Sequence, residues 1–282
     1  MIAKGTKLLI NGLTDVGQVR EHNEDYIDWD VARGLIMLAD GMGGHNAGEV
    51  ASALAVNSIK EALYEVLNPD DPVENLDHSE ILKQAIIYAN DEINRHSVEH
   101  PACAGMGTTI ATSLFDGETV VFAHVGDSRI YRLRDNKLEQ MTSDHSLVQE
   151  MVDNGFLTEE EAMTSASRNL ITRALGIADA VDVDISSDNF KVGDIYLYCS
   201  DGLTDLVTDK EILAILEDHK GDLETTSQEL VNLANEKGGK DNISVILVSL
   251  NKAYSDNVGV DESSTTIKLD TGEKDGEADT DT

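Results

Sequence analysis

Five short segments of this chain set an acid beside glycine or asparagine: Arg20-Glu21-His22-Asn23-Glu24-Asp25, Ala39-Asp40-Gly41-Met42-Gly43-Gly44-His45, Val125-Gly126-Asp127-Ser128-Arg129, Cys199-Ser200-Asp201-Gly202-Leu203 and Gly239-Lys240-Asp241-Asn242-Ile243. In four of them the acid touches the end of an apolar, strand-like run. Asp40 follows Leu35–Ala39, Asp127 follows Thr119–Val125, Asp201 follows Ile195–Cys199, and Asp241 precedes Ile243–Leu250. Carboxylates gathered at strand ends on one rim of a sheet would suit a hard divalent cation such as Mg²⁺ or Mn²⁺, which prefers carboxylate, carbonyl and water oxygens. The glycines after Asp40 would let the backbone approach an ion closely and offer a carbonyl to it. A plainer reading stands beside this one: Asp-Gly at a strand end makes a turn, and Asp before a helix caps it. Spacing along the chain does not decide whether residues 40, 127, 201 and 241 meet in space.

The elements that would position these acids follow from periodicity. Over residues 46–67, Ala47, Val50, Ala51, Leu54, Ala55, Ile59, Ala62 and Leu63 recur at helical spacing, and the helix should stop before Asn68-Pro69. Ile81, Leu82, Ala85, Ile86, Ala89 and Ile93 repeat the pattern over 79–98. Strand-like runs cover Lys7–Leu13, Leu35–Ala39, Thr108–Phe115, Thr119–Val125, Arg129–Leu133, Ile195–Cys199 and Ile243–Leu250. Turn signals at Phe115-Asp116-Gly117-Glu118 and Arg134-Asp135-Asn136-Lys137 join several of these into hairpins. Hairpins mean antiparallel pairing, and the long helices must cover a sheet face, so an α+β layered domain is expected.

Composition narrows the function classes. The chain has 282 residues, with 54 Asp and Glu against 21 Lys and Arg, a net charge of −33. That balance argues against nucleic acid as a partner, because neutralising phosphates takes clustered Lys and Arg. The first fifteen residues have too short an apolar run for a signal segment. No run of 18 or more apolar residues occurs, so no membrane insertion and a cytoplasmic location are expected. Cys103 and Cys199 are too few for a disulfide framework or a thiolate zinc site. Residues 253–282 hold nine acids against two lysines and few apolar side chains. They are expected to form a disordered acidic tail behind a folded body over residues 1–252.

Taken in order, the segments resemble the bacterial branch of the metal-dependent (PPM, type 2C) protein serine/threonine phosphatases, from about Gly12 to Leu250. The resemblance is carried by Gly17-Gln18-Val19-Arg20 with Asn23-Glu24-Asp25, Asp40-Gly41-Met42-Gly43-Gly44, Met106-Gly107-Thr108-Thr109 and Gly126-Asp127-Ser128-Arg129. It continues through Asp144-His145-Ser146, Arg168-Asn169 with Thr172-Arg173-Ala174-Leu175-Gly176, Ser200-Asp201-Gly202-Leu203 and Asp241-Asn242. It implies a four-layer α-β-β-α sandwich with two central antiparallel sheets and a metal centre at one end. Two core ions, Mn²⁺ or Mg²⁺, and a weaker third are implied. Asp40 would bridge the core pair, with the Gly41 carbonyl on one ion and Asp201 and Asp241 on the other. Glu24 and Asp25 would hold metal-bound waters, and Asp127 with Asp201 the third ion.

The activity implied is hydrolysis of phosphoserine and phosphothreonine in phosphorylated proteins, opposing a bacterial serine/threonine kinase. A hydroxide shared by two metals would attack phosphorus directly. Arg20 would grip the phosphate as a fork of donors, its plainer alternative being a surface salt bridge to Glu21 or Glu24. Animal members of the family carry a histidine where this chain has Met42. His45 is therefore the candidate to contact substrate or relay a proton. Asp144 is read as the cap of a helix beginning at Ser146. Residues from about 145 to 180 correspond to the family's flap, and Thr164-Ser165-Ala166-Ser167 stands where the bacterial pattern has His-Pro before Arg-Asn. There, Arg168 or Arg173 is either a substrate contact or one half of a salt bridge. The alternative to an enzyme is a catalytically inactive phosphatase-like sensor or adaptor. Loss of metal ligands would mark that case, and Asp40, Asp201 and Asp241 are all present.

Overall fold

A strand with apolar side chains on both faces needs cover on both sides, and the central strands of this chain have that character. The structure, a computed structural model, describes residues 6–43, 47–64, 66–68, 76–158, 161–162, 165, 167, 169–252 and 267–269. In chain order the strands are β1 (Thr6–Asp15), β2 (Asp25–Asp30), β3 (Leu35–Met42), β4 (Gly107–Thr108), β5 (Ile110–Asp116), β6 (Thr119–Val125), β7 (Arg129–Arg134), β8 (Lys137–Gln140), β9 (Asp184–Asn189), β10 (Ile195–Cys199), β11 (Ile243–Lys252) and β12 (Ile267–Leu269). One sheet has the order β12-β1-β11-β10-β7-β8. The other runs β2-β3-β5-β6-β9, with β4 also paired to β3. Every pairing is antiparallel except β12, which lies parallel to β1 with Gly12 opposite Ile267.

Period-two alternation sorts the side chains into three cores. Ile36 and Leu38 of β3, Phe122 of β6, Tyr196 and Tyr198 of β10 and Ile246 and Val248 of β11 fill the space between the sheets. The intervening residues face outward. Leu35, Met37, Ala39 and Ala123 pack under helices α1 (Ala47–Tyr64) and α2 (His78–Glu99). Leu197, Cys199, Val245 and Leu247 pack under two later helices, α5 (Asp209–Asp218) and α6 (Leu223–Glu236). Between these pairs of layers come α3 (Leu147–Asp153) and the single turn α4 (Asp201–Thr204). The result is the α-β-β-α sandwich that the resemblance implied.

Local signals set the boundaries. Asp77 caps α2 by accepting the Ser79 and Glu80 N–H groups, and Thr208 with Glu211 forms a capping box on α5. At the β7–β8 turn Asp135 and Asn136 both take positive φ, as a two-residue hairpin loop of this hand requires. One expectation is corrected: Ser146, not Asp144, caps α3 by accepting the Gln149 N–H. Asp144 is committed elsewhere, to a bidentate pair with Arg129. Of residues 253–282, only Ile267–Leu269 are described, and they pair with the β1 edge. The disorder expected of 253–266 and 270–282 falls outside the described residues.

A fully buried polar contact crosses the apolar space between the sheets, where the Ser113 hydroxyl of β5 bonds the Tyr198 hydroxyl of β10. Removing one partner strands the other without water. Tyr198→Phe is therefore expected to lower unfolding free energy in urea by about 1–3 kcal/mol, and the double variant Tyr198→Phe/Ser113→Ala to recover most of that loss.

Candidate active site

Antiparallel neighbours put the end of one strand level with the start of the next, so acids far apart in sequence reach one rim. Asp25, the first residue of β2, lies opposite Asp40 near the end of β3. In the other sheet Cys199, which precedes Ser200-Asp201, lies opposite Val245, and Asp15 lies opposite Ile243 just after Asp241-Asn242. Val125, two residues before Asp127, pairs with Ile110 beside the Thr109 that holds Asp40. Side-chain bonds stitch the two sheets together here. Ser200, after β10, donates to Asp25 Oδ2 at 2.8 Å and accepts the Ser244 N–H at 3.0 Å.

The backbone around Asp40 is held from several directions. Its N–H donates to Thr109 Oγ1 at 3.0 Å, and its carbonyl accepts the Thr109 N–H at 2.9 Å and the Thr108 hydroxyl at 2.8 Å. Thr109 in turn bonds Ser128 Oγ at 2.7 Å, linking Asp40 to the segment that carries Asp127. Gly41 donates its N–H to the Glu24 carbonyl at 3.1 Å. A Cβ there would stand 2.1 Å from the Gly48 carbonyl oxygen, so only glycine lets α1 approach this closely. The Glu24 carboxylate accepts the Gly48 N–H at the start of α1. Asn242 pins the preceding loop: its Oδ1 accepts the Glu24 N–H at 2.8 Å, and its Nδ2 donates to the Val16 and His22 carbonyls.

The charges so gathered oppose one another. Burial, and then the charges of Asp25, Asp201, Asp127 and Asp241, push the Asp40 carboxyl well above the usual carboxylate range. Asp201 is raised likewise by burial and by Asp127, Asp241, Asp205 and Asp25. Burial with Asp241 lifts Asp25 to about 6, and burial with Asp144 lifts Asp127 to about 7. Asp25 Oδ1 and Asp127 Oδ1 are buried without a hydrogen-bond partner. Converging hard oxygen donors, two of them orphaned, are what a divalent cation would satisfy, so these residues fit such ions.

The remaining candidates sort as follows. Arg20 Nη2 pairs with Asp241 Oδ2 at 2.6 Å on the half-exposed side of the rim, rather than with Glu21 or Glu24. His45 and Arg168 lie outside the described residues. Arg173 forms the salt-bridge alternative, with Nη1 2.7 Å from Asp184 Oδ1. One acid close to the cluster, Asp205, escaped the motif reading, and a second, Asp144, was assigned there to a helix cap. Asp205, at the end of α4, bears on Asp127 and Asp201 and accepts a bond from Asn169 Nδ2 at 2.7 Å. Asp144 bears on Asp127 while paired to Arg129. The signal for Asp205 was its place four residues after Asp201, one helical turn on. Acids with raised folded-state pKa values bind more protons folded than unfolded, so their contribution to stability is lost as pH rises through those values. In EDTA, the melting temperature is expected to fall between about pH 5 and about pH 7.5, and saturating Mn²⁺ to restore most at the upper end, as read by calorimetry.

Comparison with known proteins bears directly on this geometry. Residues 17–247 match the family model described as protein phosphatase 2C. The serine/threonine phosphatase stp of Listeria welshimeri is 39% identical over 246 residues, covering 84% of this chain and 94% of the relative. Protein phosphatase PhpP of Streptococcus pneumoniae is 38% identical over 247 residues, covering 86% and 98%. Among solved structures, the Mycobacterium tuberculosis serine/threonine phosphatase PstP/Ppp superposes with a TM-score of 0.78 at 39% identity, covering 86% of this chain and 99% of that one. The catalytic domain of PstP in complex with two manganese ions gives 0.77 at 37% identity, covering 88% and 100%. Fold, motif order and relatives agree, and the chain belongs to the protein phosphatase 2C family.

Proposed function

We propose that this chain hydrolyses phosphoserine and phosphothreonine in proteins with the help of divalent metal ions, in opposition to a serine/threonine kinase. The observation that carries the reading is the convergence of Asp25, Asp40, Asp127 and Asp201 at one rim with two carboxylate oxygens left without partners. The two manganese ions of the structurally similar PstP domain support it. Asp40, Gly41, Asp201 and Asp241 would hold the core ions, Glu24 and Asp25 their waters, and Asp127 with Asp201 a third. When bound, Mn²⁺ or Mg²⁺ makes a water acidic enough to serve as nucleophile near neutral pH and offsets charge on the phosphoryl oxygens.

The side chains supply positioning. Arg20 is fixed at the rim by its bond to Asp241, and a guanidinium with five N–H donors keeps others for a phosphoryl oxygen pair. Thr108 and Thr109 hold the Asp40 backbone from behind and so fix the point from which its carboxylate projects. Asn242 fixes the Val16–Glu24 loop, and with it both Arg20 and Glu24, to the residue beside Asp241. The serine or threonine oxygen released from phosphorus needs a proton, and His45 is the side chain assigned to supply or relay it.

Two measurements test this reading. Phosphate release from a phosphothreonine peptide should require Mn²⁺ or Mg²⁺ and stop in EDTA. Asp40→Asn should lower kcat about 100-fold or more, since losing even an outer partner of a metal ligand typically costs about 10–100-fold. Activity that survives either change contradicts the proposal. For the domain division, we propose that residues 1–252 carry the activity. Deleting 253–282 should then leave peptide hydrolysis unchanged, even though Ile267–Leu269 pair with β1.

A further inference from the structure

Behind the acidic rim lies a buried histidine to which neither the motifs nor the proposed chemistry gives a task. His145 is almost fully buried and meets Gly126, the residue before Asp127, through both backbone groups of that glycine. The Gly126 N–H donates to His145 Nδ1 at 3.0 Å, and the His145 N–H donates to the Gly126 carbonyl at 2.9 Å. Gly126 needs holding. Its φ of +108° is open only to glycine, and a Cβ would strike Thr109 Cγ2 at 2.5 Å.

The ring nitrogens of His124 and His145 and a carboxylate oxygen of Asp184 come within 4.8 Å of one another, a spacing that would suit a metal ion. Proton placement speaks against that use. A backbone N–H can only donate, so His145 Nδ1 must accept and the proton of the neutral ring sits on Nε2. Nε2–H then faces Asp184 Oδ2 at 3.4 Å, with the His124 ring stacked alongside at 4.6 Å. Ligation through Nε2 would require that proton to leave. The main chain of His145 also accepts the Thr172 N–H at 2.8 Å, so this residue joins the base of the flap to the segment bearing Asp127.

We infer that His145 is a positioning residue: its Nδ1 lone pair locks Gly126 and thereby aims the Asp127 carboxylate at the metal centre. The inference rests on the reading of Asp127 as a ligand of the weakest ion. Asparagine offers a test, because its Oδ1, like Nδ1, is bonded to Cγ and can accept the Gly126 N–H, whereas alanine cannot.

The experiment is Mn²⁺ binding to the full chain by calorimetry, together with histidine ¹⁵N NMR of the metal-free protein. His145→Ala should weaken the weakest Mn²⁺ site about tenfold, within the 10–100-fold typical of outer partners. His145→Asn should stay close to wild type. The spectrum of the unmutated chain should show His145 with its proton on Nε2 and a bare Nδ1, which holds the inference to account even where His145→Ala fails to fold. A proton on Nδ1, loss of the Nε2 proton on adding Zn²⁺, or equal weakening by alanine and asparagine overturns it. Asp127→Asn separates the two layers. If that variant leaves every Mn²⁺ site intact, the reading of Asp127 fails and the inference with it. If it removes the weakest site while His145→Ala changes nothing, the positioning role alone is wrong.

Discussion

Mutual repulsion among buried carboxylates is the constraint to which the rest of this structure answers. Asp25, Asp40, Asp127 and Asp201 each have their negative form disfavoured by burial and then by neighbouring carboxylates: Asp241 beside Asp25, Asp144 beside Asp127, and several acids of the cluster beside Asp40 and Asp201. Left to themselves, such side chains would turn outward to water or take up protons. They stay together because the backbone beneath them is fixed by neutral donors and acceptors that do not depend on the charge: Thr108, Thr109 and Asn242. The scaffold thus prepares a site whose electrostatic completion must come from cations. The three apolar cores supply the stability against which this local cost is set.

Much of that scaffold was legible in the sequence. Thr119–Val125 and Ile195–Cys199 form strands over those same residues, because an apolar run bounded by turn residues and covered on both faces leaves little ambiguity. β2 and β9 were harder. Asp-Tyr-Ile-Asp-Trp-Asp alternates correctly, with Asp25, Ile27 and Trp29 buried, but one of its inward positions is an acid, so the pattern does not read as apolar. Asp-Ile-Ser-Ser-Asp-Asn has almost no apolar signal. It is a strand because β6 pairs with it and because Asp188 takes ion pairs from Arg132 and Arg134 across the sheets. α5 and α6 were not singled out because their apolar stripes are interleaved with acids.

The site was legible in a different sense. Acid-glycine pairs at strand ends marked which residues had the right chemistry, yet only the antiparallel registers bring Asp25 to Asp40 and Asp241 to the end of β1. Residue types that hold rather than react left the weakest trace. A threonine such as Thr109 or an asparagine such as Asn242 looks like any turn or strand residue until its partners are known. Asp144 shows the converse error: a plausible capping position lost to Arg129, whose bidentate pairing is stronger than a cap.

The base of the flap uses the same residues that hold the acids. Thr108 carries the Asp40 carbonyl on its hydroxyl and, through its backbone, exchanges two hydrogen bonds with Leu175 at the flap's far end. His145 holds Gly126 on one side and Thr172 on the other. The segment between these ties can therefore vary in sequence while its two ends stay locked to the rim. The departure from the bacterial pattern at residues 164–167 falls inside that span, whereas the bonds described above from Thr108 and Thr109 to Asp40 and from Ser200 to Asp25 fall outside it.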